Sequence, residues 1–371
     1  MEKSLNKGEY IVKMMELTKT TAAVPAQAFK TGAKRALTLL ACTALFAAVA
    51  GCGGKAATSG SGASESAGTA AAKTMPDQLT TIKLGLPSKN MSYLPIYVAQ
   101  KKGFYKKNNL EVNLDYVKGG VLALRGLQTG DYPIISTLPE SVITGVAEGA
   151  NVKLIGTLDD KSMYSIYVAK DIKSAADLKG KNAASNVPGN GTDIQLQYWL
   201  KKNGLEPNKD VRIINSGENA GRLQALQTNQ AAVTILSQPT DLKADELGFT
   251  KLSLMRDELK TYNHNMLAAN GDIIKNKPEI VYGFMAGQAE AVKFIKDPAN
   301  RQEILKIAMG ELEMSQQDAE KSLDFVMPGL ADKGKMNMEG MKWAIDTVKA
   351  TGALAKEVSL DKIVDERFYA K

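Results

Sequence analysis

Histidine and cysteine are nearly absent from this 371-residue chain, which has one histidine, His264, and two cysteines, Cys42 and Cys52. A single imidazole excludes a histidine-cluster metal site and leaves a histidine-based catalytic triad little to stand on. Two cysteines exclude a disulfide framework and any cysteine-rich zinc or iron–sulfur centre. No phosphate-binding loop of the GxxxxGK[ST] type occurs, so any ATP must be handled by a partner. Gly189-Asn190-Gly191 is not a dinucleotide fingerprint, because Ile194 stands where the third glycine is required. Metal and cofactor are therefore expected to be none. What remains is 44% hydrophobic and 23% charged, an ordinary globular composition that excludes a disordered tail, a collagen-like rod and a multi-span membrane protein. The 47 basic against 40 acidic residues give a formal charge of +7 and a pI near 9.0, a balance that points to nucleic acid only if spread over the folded part.

The charge is not so spread. Residues 1–51 hold seven Lys and Arg against three Glu, a net +4. After Lys34-Arg35 comes the uncharged stretch Ala36–Ala50, fifteen residues long. That is short of the ~20 needed to span a bilayer as a helix but suits the apolar region of a signal peptide. It ends in Val49-Ala50-Gly51-Cys52, which looks like a bacterial lipobox whose cysteine is acylated. Residues 1–51 are thus expected to be a lipoprotein signal, with translation starting at Met1 or at Met14 or Met15. Cys42 falls in the removed part, so Cys52 remains as the lipidated residue. Residues 52–77 are rich in Gly, Ser, Ala and Thr and read as a flexible tether. The folded part, carrying the remaining +3, is expected to sit outside the cytoplasm, on the periplasmic side or the outer surface, with no nucleic-acid partner.

From Thr81 short apolar runs alternate with amphipathic stretches of 10–15 residues, the pattern of βαβ units and a parallel sheet. Strands are expected at 82–86, 110–117, 132–136, 152–156, 165–169, 182–185, 211–214 and 232–236. Two stretches match: Leu122–Ser136 followed by Pro139, and Arg222–Ser237 followed by Pro239, each with a Leu-Gln-Thr turn before its strand. They read as two ordinary βαβ units or, more sharply, as two lobes built alike, with matched loops at the C-terminal strand ends where open α/β sheets bind ligands. Beyond Pro278 helices are expected at 279–296, 302–309, 315–325 and 339–351, packed back on the first lobe.

The segments Ser92–Val112, Lys170–Lys181 and Gly204–Val211 together resemble the substrate-binding proteins of ABC importers for nitrate, sulfonates, taurine and thiamine precursors. The resemblance runs from about Leu79 to Gly287. It implies an α/β, two-lobed periplasmic-binding-protein-like fold of type II, with parallel-rich sheets, a ligand cleft between lobes that close like a hinged trap, and an ABC permease with its cytoplasmic ATPase as partner. The expected boundaries are 78–168 and 268–371 for lobe one and 169–267 for lobe two, in a monomer that is not an enzyme. Fungal pyrimidine-precursor synthases share the fold but carry a cysteine-rich iron motif that is missing here. A sensor module or an exported enzyme on this fold are the rival readings.

Candidate ligand contacts follow from helix-start chemistry, where unpaired N–H groups and short hydroxyls replace an anion's hydration shell. In lobe one these are Ser88, Asn90, Tyr93, Gly119, Gly120, Ser136 and Thr137; in lobe two, Asn190, Gly191, Thr192, Ser216, Asn219 and Gln238. Each Ser, Thr or Asn serves equally well as a plain helix cap. Tyr93 and Tyr164 suit stacking on a ligand, while Trp199 reads as core. Arg222 can pair with a carboxylate or sulfonate or be a solvated residue, and Lys89 has the same two readings. Asp159-Asp160 can read an amine or cap a turn, and His264 reads as structural. An anionic ligand of the sulfonate, carboxylate or nitrate type is expected first, a pyrimidine-type thiamine precursor second.

Overall fold

The computed structural model describes residues 75–354 and 356–369; the signal segment, Cys52 and most of the expected tether lie outside them. Ten strands form: β1 (Thr80–Leu86), β2 (Leu110–Tyr116), β3 (Ile134–Thr137), β4 (Val152–Thr157), β5 (Tyr164–Val168), β6 (Asn182–Ser185), β7 (Arg212–Asn215), β8 (Val233–Ser237), β9 (Thr250–Leu254) and β10 (Met266–Asn270). They build two five-stranded sheets, ordered β2-β1-β3-β10-β4 and β7-β6-β8-β5-β9. In the first sheet β1 runs parallel to β2 and β3, and in the second β6 runs parallel to β7 and β8. The fourth strand of each sheet is antiparallel to both neighbours. That strand always comes from across the molecule: β10 enters the first sheet after β9, and β5 enters the second after β4.

Two expected boundaries are thereby corrected. Tyr164–Val168, placed with lobe one, is hydrogen-bonded between β8 and β9 in the second sheet. Met266 and Leu267, placed with lobe two, pair with β3 and β4 in the first. Each sheet needs a central strand between its third and last ones, and the chain supplies it immediately after crossing over. All five residues of β5, β8 and β10 are buried, as expected of strands covered on both faces.

Helices cover the sheets. The helix Leu94–Lys101, with Pro95 in its first turn where a missing N–H costs nothing, packs with Pro278–Lys296, Arg301–Leu312 and Gln316–Val326 on one face of the first sheet. Leu84, Tyr97, Phe284, Leu305 and Leu323 share that core. The expected return of the C-terminal helices to the first lobe holds for these three. Helix Met338–Ala350 differs. Its Met341, Ala344 and Val348 join a second core of the first lobe, while Trp343 meets Tyr198 and Tyr262 edge to face, with ring centroids 5.2 and 5.5 Å apart. Trp199 is buried in the core of the second lobe. Among the described residues no helix is long and apolar enough to cross a membrane.

Candidate functional site

The C-terminal ends of the parallel strands in both sheets face one another across a cavity of about 30 Å³. After β1 and β6 come Pro87, Ser88 and Asn90 on one side, and Asn186 and Asn190 on the other. After β2 and β7 come Gly120, then Glu218 and Asn219; after β3 comes Leu138, and Thr137 and Ser237 close their strands. The repeat noticed in the sequence is thus a structural one. Asn90 and Asn190 even do the same local work, each accepting a hydrogen bond from the N–H two residues on, at 2.9 Å. Tyr93, Tyr164, Thr192, His264 and Asn265 complete the wall.

Four helices of nine or more residues begin at this wall: Gly120–Thr129, Pro139–Ala147, Gly191–Lys202 and Asn219–Gln227. Their first N–H groups lack intrahelical partners and carry partial positive charge, which favours an anionic or acceptor-rich group between them. Two buried polar atoms of the lining have no hydrogen-bond partner among the described residues, Thr137 Oγ1 and His264 Nδ1, and neither has Ser141 Oγ, which lies near Gly120 outside the lining. Their residues are 1%, 3% and 4% exposed. Gly120 permits this arrangement, because a Cβ there would collide with Thr137 Oγ1 and lie 3.4 Å from Ser141 Oγ.

No lysine or arginine lines the cavity, and Glu218 is the lining residue with a formal charge. Glu218 accepts a 2.7 Å hydrogen bond from Asn186 Nδ2. Burial, with a smaller contribution from the positive charge of Arg256, pushes His264 down to about 3. The imidazole is therefore neutral, its backbone N–H bound to the Asp159 carbonyl at 3.0 Å and its ring edge-on to Tyr164 at 4.6 Å. Burial also raises the Tyr93 and Tyr164 phenols, so both stay protonated donors. With one histidine in the chain, its imidazole proton resonance is expected to stay fixed between pH 8 and pH 5; a titration near 6.5 would show that the ring is not enclosed.

Of the residues expected at the site, Ser88, Asn90, Tyr93, Gly120, Thr137, Tyr164, Asn190, Thr192 and Asn219 line the cavity, and the others do not. Arg222 is the main correction. It is 1% exposed, and its guanidinium donates to the Ile235 carbonyl (2.8 Å), the Gly217 carbonyl (2.8 Å) and Asn219 Oδ1 (2.7 Å). A guanidinium so committed holds Asn219 in place and does not line the cavity, although its charge acts on Tyr164 and Glu218 of the wall. Gly119, at φ +98°, lies at the mouth where a Cβ would stand 3.3 Å from Glu218 Oε1. Ser136 lies beside Tyr93 beneath the wall. Gly191 packs on Leu138 and Glu140, and Ser216 extends the sheet by donating to the Ser185 carbonyl at 2.8 Å. Gln238 is bonded to Asp241 and Ser322, at 2.8 Å each. Lys89 turns away toward the Tyr116 ring. Missed were Pro87, Leu138, Asn186, Glu218, Ser237, His264 and Asn265. The matched halves of the sequence pointed to the loops holding Asn186 and Glu218, whereas nothing local marked His264 or Asn265, which arrive from the crossover.

Residues 90–301, more than half of the chain, match the family described as NMT1/THI5 like. A protein of Haemophilus influenzae provisionally named for thiamine biosynthesis is 34% identical over 128 residues, which cover 34% of this chain and 40% of that one. The bicarbonate transport ATP-binding protein CmpC of Synechocystis is 25% identical over 57% of this chain and 35% of its own. The chain thus spans well under two thirds of these curated relatives. Among solved structures, the alkanesulfonate-binding protein SsuA of Xanthomonas axonopodis pv. citri bound to MOPS has a TM-score of 0.68 at 16% identity, covering 78% of this chain and 100% of that one. The desulfurization enzyme DSZB has a TM-score of 0.57 at 14% identity, over 78% and 97%. These two likenesses show a shared fold, the periplasmic-binding-protein fold, and the matched residues settle the kinship: the chain belongs to the NMT1/THI5-like family.

Proposed function

We propose that this protein is the solute-binding component of an ABC-type importer, held outside the cytoplasm by a lipid on Cys52 and handing its ligand to a permease. The observation that carries the binding reading is the pair of unpartnered buried atoms, at Thr137 and His264, in the wall of a cavity between two like lobes. Each such atom costs roughly 1–3 kcal/mol unless something polar meets it. An enzyme on this fold is less well supported: among the described residues no serine or threonine hydroxyl of the wall is bonded to a base, their recorded partners being Asn90, Asn219 and Tyr164.

The lining narrows the ligand class. Four helix starts and the free Thr137 hydroxyl favour an anionic head, while Glu218 repels a bare anion and favours a ligand that also carries a hydrogen-bond donor. A compact anion with a donor, such as an aminosulfonate or bicarbonate, satisfies both; nitrate satisfies only the first. The expected sulfonate or carboxylate therefore stands without direct contact to Arg222. In a thermal-shift series on the full chain, taurine or bicarbonate is expected to raise the melting temperature and nitrate to leave it unchanged. Thr137→Val should weaken that binding about 10- to 150-fold, the value of one buried hydrogen bond to a charged group. A shift with nitrate alone, or with cations alone, would overturn the ligand class.

A further inference from the structure

Glu140 is the second residue of the lobe-one helix Pro139–Ala147 and is fully buried. Its carboxyl accepts from Tyr262 Oη at 2.9 and 3.0 Å. Tyr262 lies between β9 and β10, in the second crossover. Its oxygen accepts in turn from Gln195 Nε2 at 3.0 Å, on the lobe-two helix Gly191–Lys202, and Gln195 Oε1 accepts from Ser162 Oγ at 2.8 Å, in the first crossover. The carboxyl also rests against Gly191, where a Cβ would collide with Glu140 Oε2. One lobe-one carboxyl thus touches the first turn of lobe two and is bonded to the hinge.

Among the described residues no salt bridge reaches Glu140. The titratable groups nearest it are Tyr262, Tyr164 on β5, whose phenol feels its charge, and neutral His264, edge-on to both rings. Asp193 is the acidic residue in the first turn of the Gly191 helix. The charged residues on the other helices packed against Glu140's own, namely Arg125, Glu339, Lys342, Asp346, Lys349, Asp361 and Lys362, are all exposed. A buried carboxylate without a cation is costly, and its neutral form is not.

We infer that Glu140 is a proton-operated latch: it joins the lobes when protonated and resists their closure when ionised. The inference rests on the reading of this protein as a hinged solute binder. Burial, opposed by its own helix N–H and by Tyr262, raises the carboxyl to about 7 in the closed form. Opening would return it to water and to roughly 4.3. A group whose pKa is raised on closing stabilises the closed form at low pH, and this contribution fades as pH rises through about 7. Between pH 8 and pH 5.5 the closing equilibrium should tighten about 30-fold. Of the other carboxyls raised by burial, Asp159 bonds Asn265 across the two crossovers, Asp160 follows it in the first crossover, and Asp193 accepts from Gly189 N and Gln197 Nε2 within lobe two, while Asp241 bonds Gln238, whose amide oxygen accepts from Ser322 of lobe one.

Small-angle scattering of the full chain without added solute tests the latch. The radius of gyration should be smaller at pH 5.5 than at pH 8. Glu140→Gln, neutral throughout, should remove that difference, and Asp193→Asn, whose carboxyl is bonded within lobe two alone, should keep it. Tyr262→Phe deletes the hydrogen bond that favours the ionised form and should move the midpoint to higher pH, which keeps the test decisive if the glutamine variant folds poorly. A wild-type radius independent of pH, or a pH response unchanged in both Glu140→Gln and Tyr262→Phe, overturns the inference. Taurine and bicarbonate binding measured alongside separates the readings: pH-dependent compaction with no binding of either supports the latch and removes the proposed ligands, whereas binding without compaction removes the latch.

Discussion

Gly191→Ala is expected to lower the affinity for taurine or bicarbonate by at least about 100-fold, close to 2.7 kcal/mol, with a melting temperature near wild type in the absence of solute. A methyl group on Gly191 would stand 2.6 Å from Leu138 Cβ and 2.7 Å from Leu138 Cδ1, and closer still to Glu140 Oε2. Every one of these neighbours belongs to lobe one, whereas Gly191 opens a helix of lobe two. The collision therefore exists only when the lobes are together. Gly191 has no left-handed backbone angle to preserve, so alanine adds no strain to the separated lobes. The check is a titration by calorimetry beside a thermal melt. Equal affinity in the variant would mean that the two lobes do not need this contact to hold a ligand, and an equal fall in stability would mean that the contact is part of folding and not of closing.

The second large effect is expected at Arg222, and on stability. Arg222→Met should destabilise the protein by about 3–5 kcal/mol, because three acceptors lose a charge-assisted partner inside the core of lobe two. At roughly 2 °C per kcal/mol for a protein of this size, the melting temperature should fall by about 6–10 °C. Asn219 should loosen with it, since Arg222 Nη2 and Ser237 N both donate to its Oδ1, at 2.7 and 3.1 Å. Had Arg222 been the anion's counter-charge, the same substitution would abolish binding and leave the melt almost unchanged. A chemical-denaturation curve on the variant distinguishes the two outcomes.

Both substitutions concern contacts of different legibility. The alternation of short apolar runs with amphipathic stretches marks eight strands to within about two residues, because the local period reports which faces are buried. β10 escapes that reading: Met266-Leu-Ala-Ala-Asn270 has no alternation and no β-branched residue, and it is a strand because β3 and β4 hold it on both sides. β9 alternates weakly and is held by β5 alone. The helix-start residues Gly120, Thr137, Asn190 and Thr192 were legible because a strand end followed by a short polar residue and a helix is a local pattern. Arg222 was misjudged for a corresponding reason: an arginine in a first helical turn looks the same in sequence whether it faces water, a ligand or three carbonyls.

By itself the sequence determined the kind of protein this is: an α/β chain of two similar halves, with a basic, apolar and cysteine-ended front segment that accounts for most of the net charge, and with polar loops at the strand ends. Those properties follow from composition and from spacings shorter than about 30 residues. The tertiary structure alone decided how the halves exchange strands, that His264 and Asn265 reach the cavity, that Glu218 and not Arg222 lines it, and that Glu140 is enclosed at the junction of both lobes. Each depends on groups far apart in the chain meeting inside a desolvated space, where burial and hydrogen-bond partners, which have no local signature, set what a side chain does.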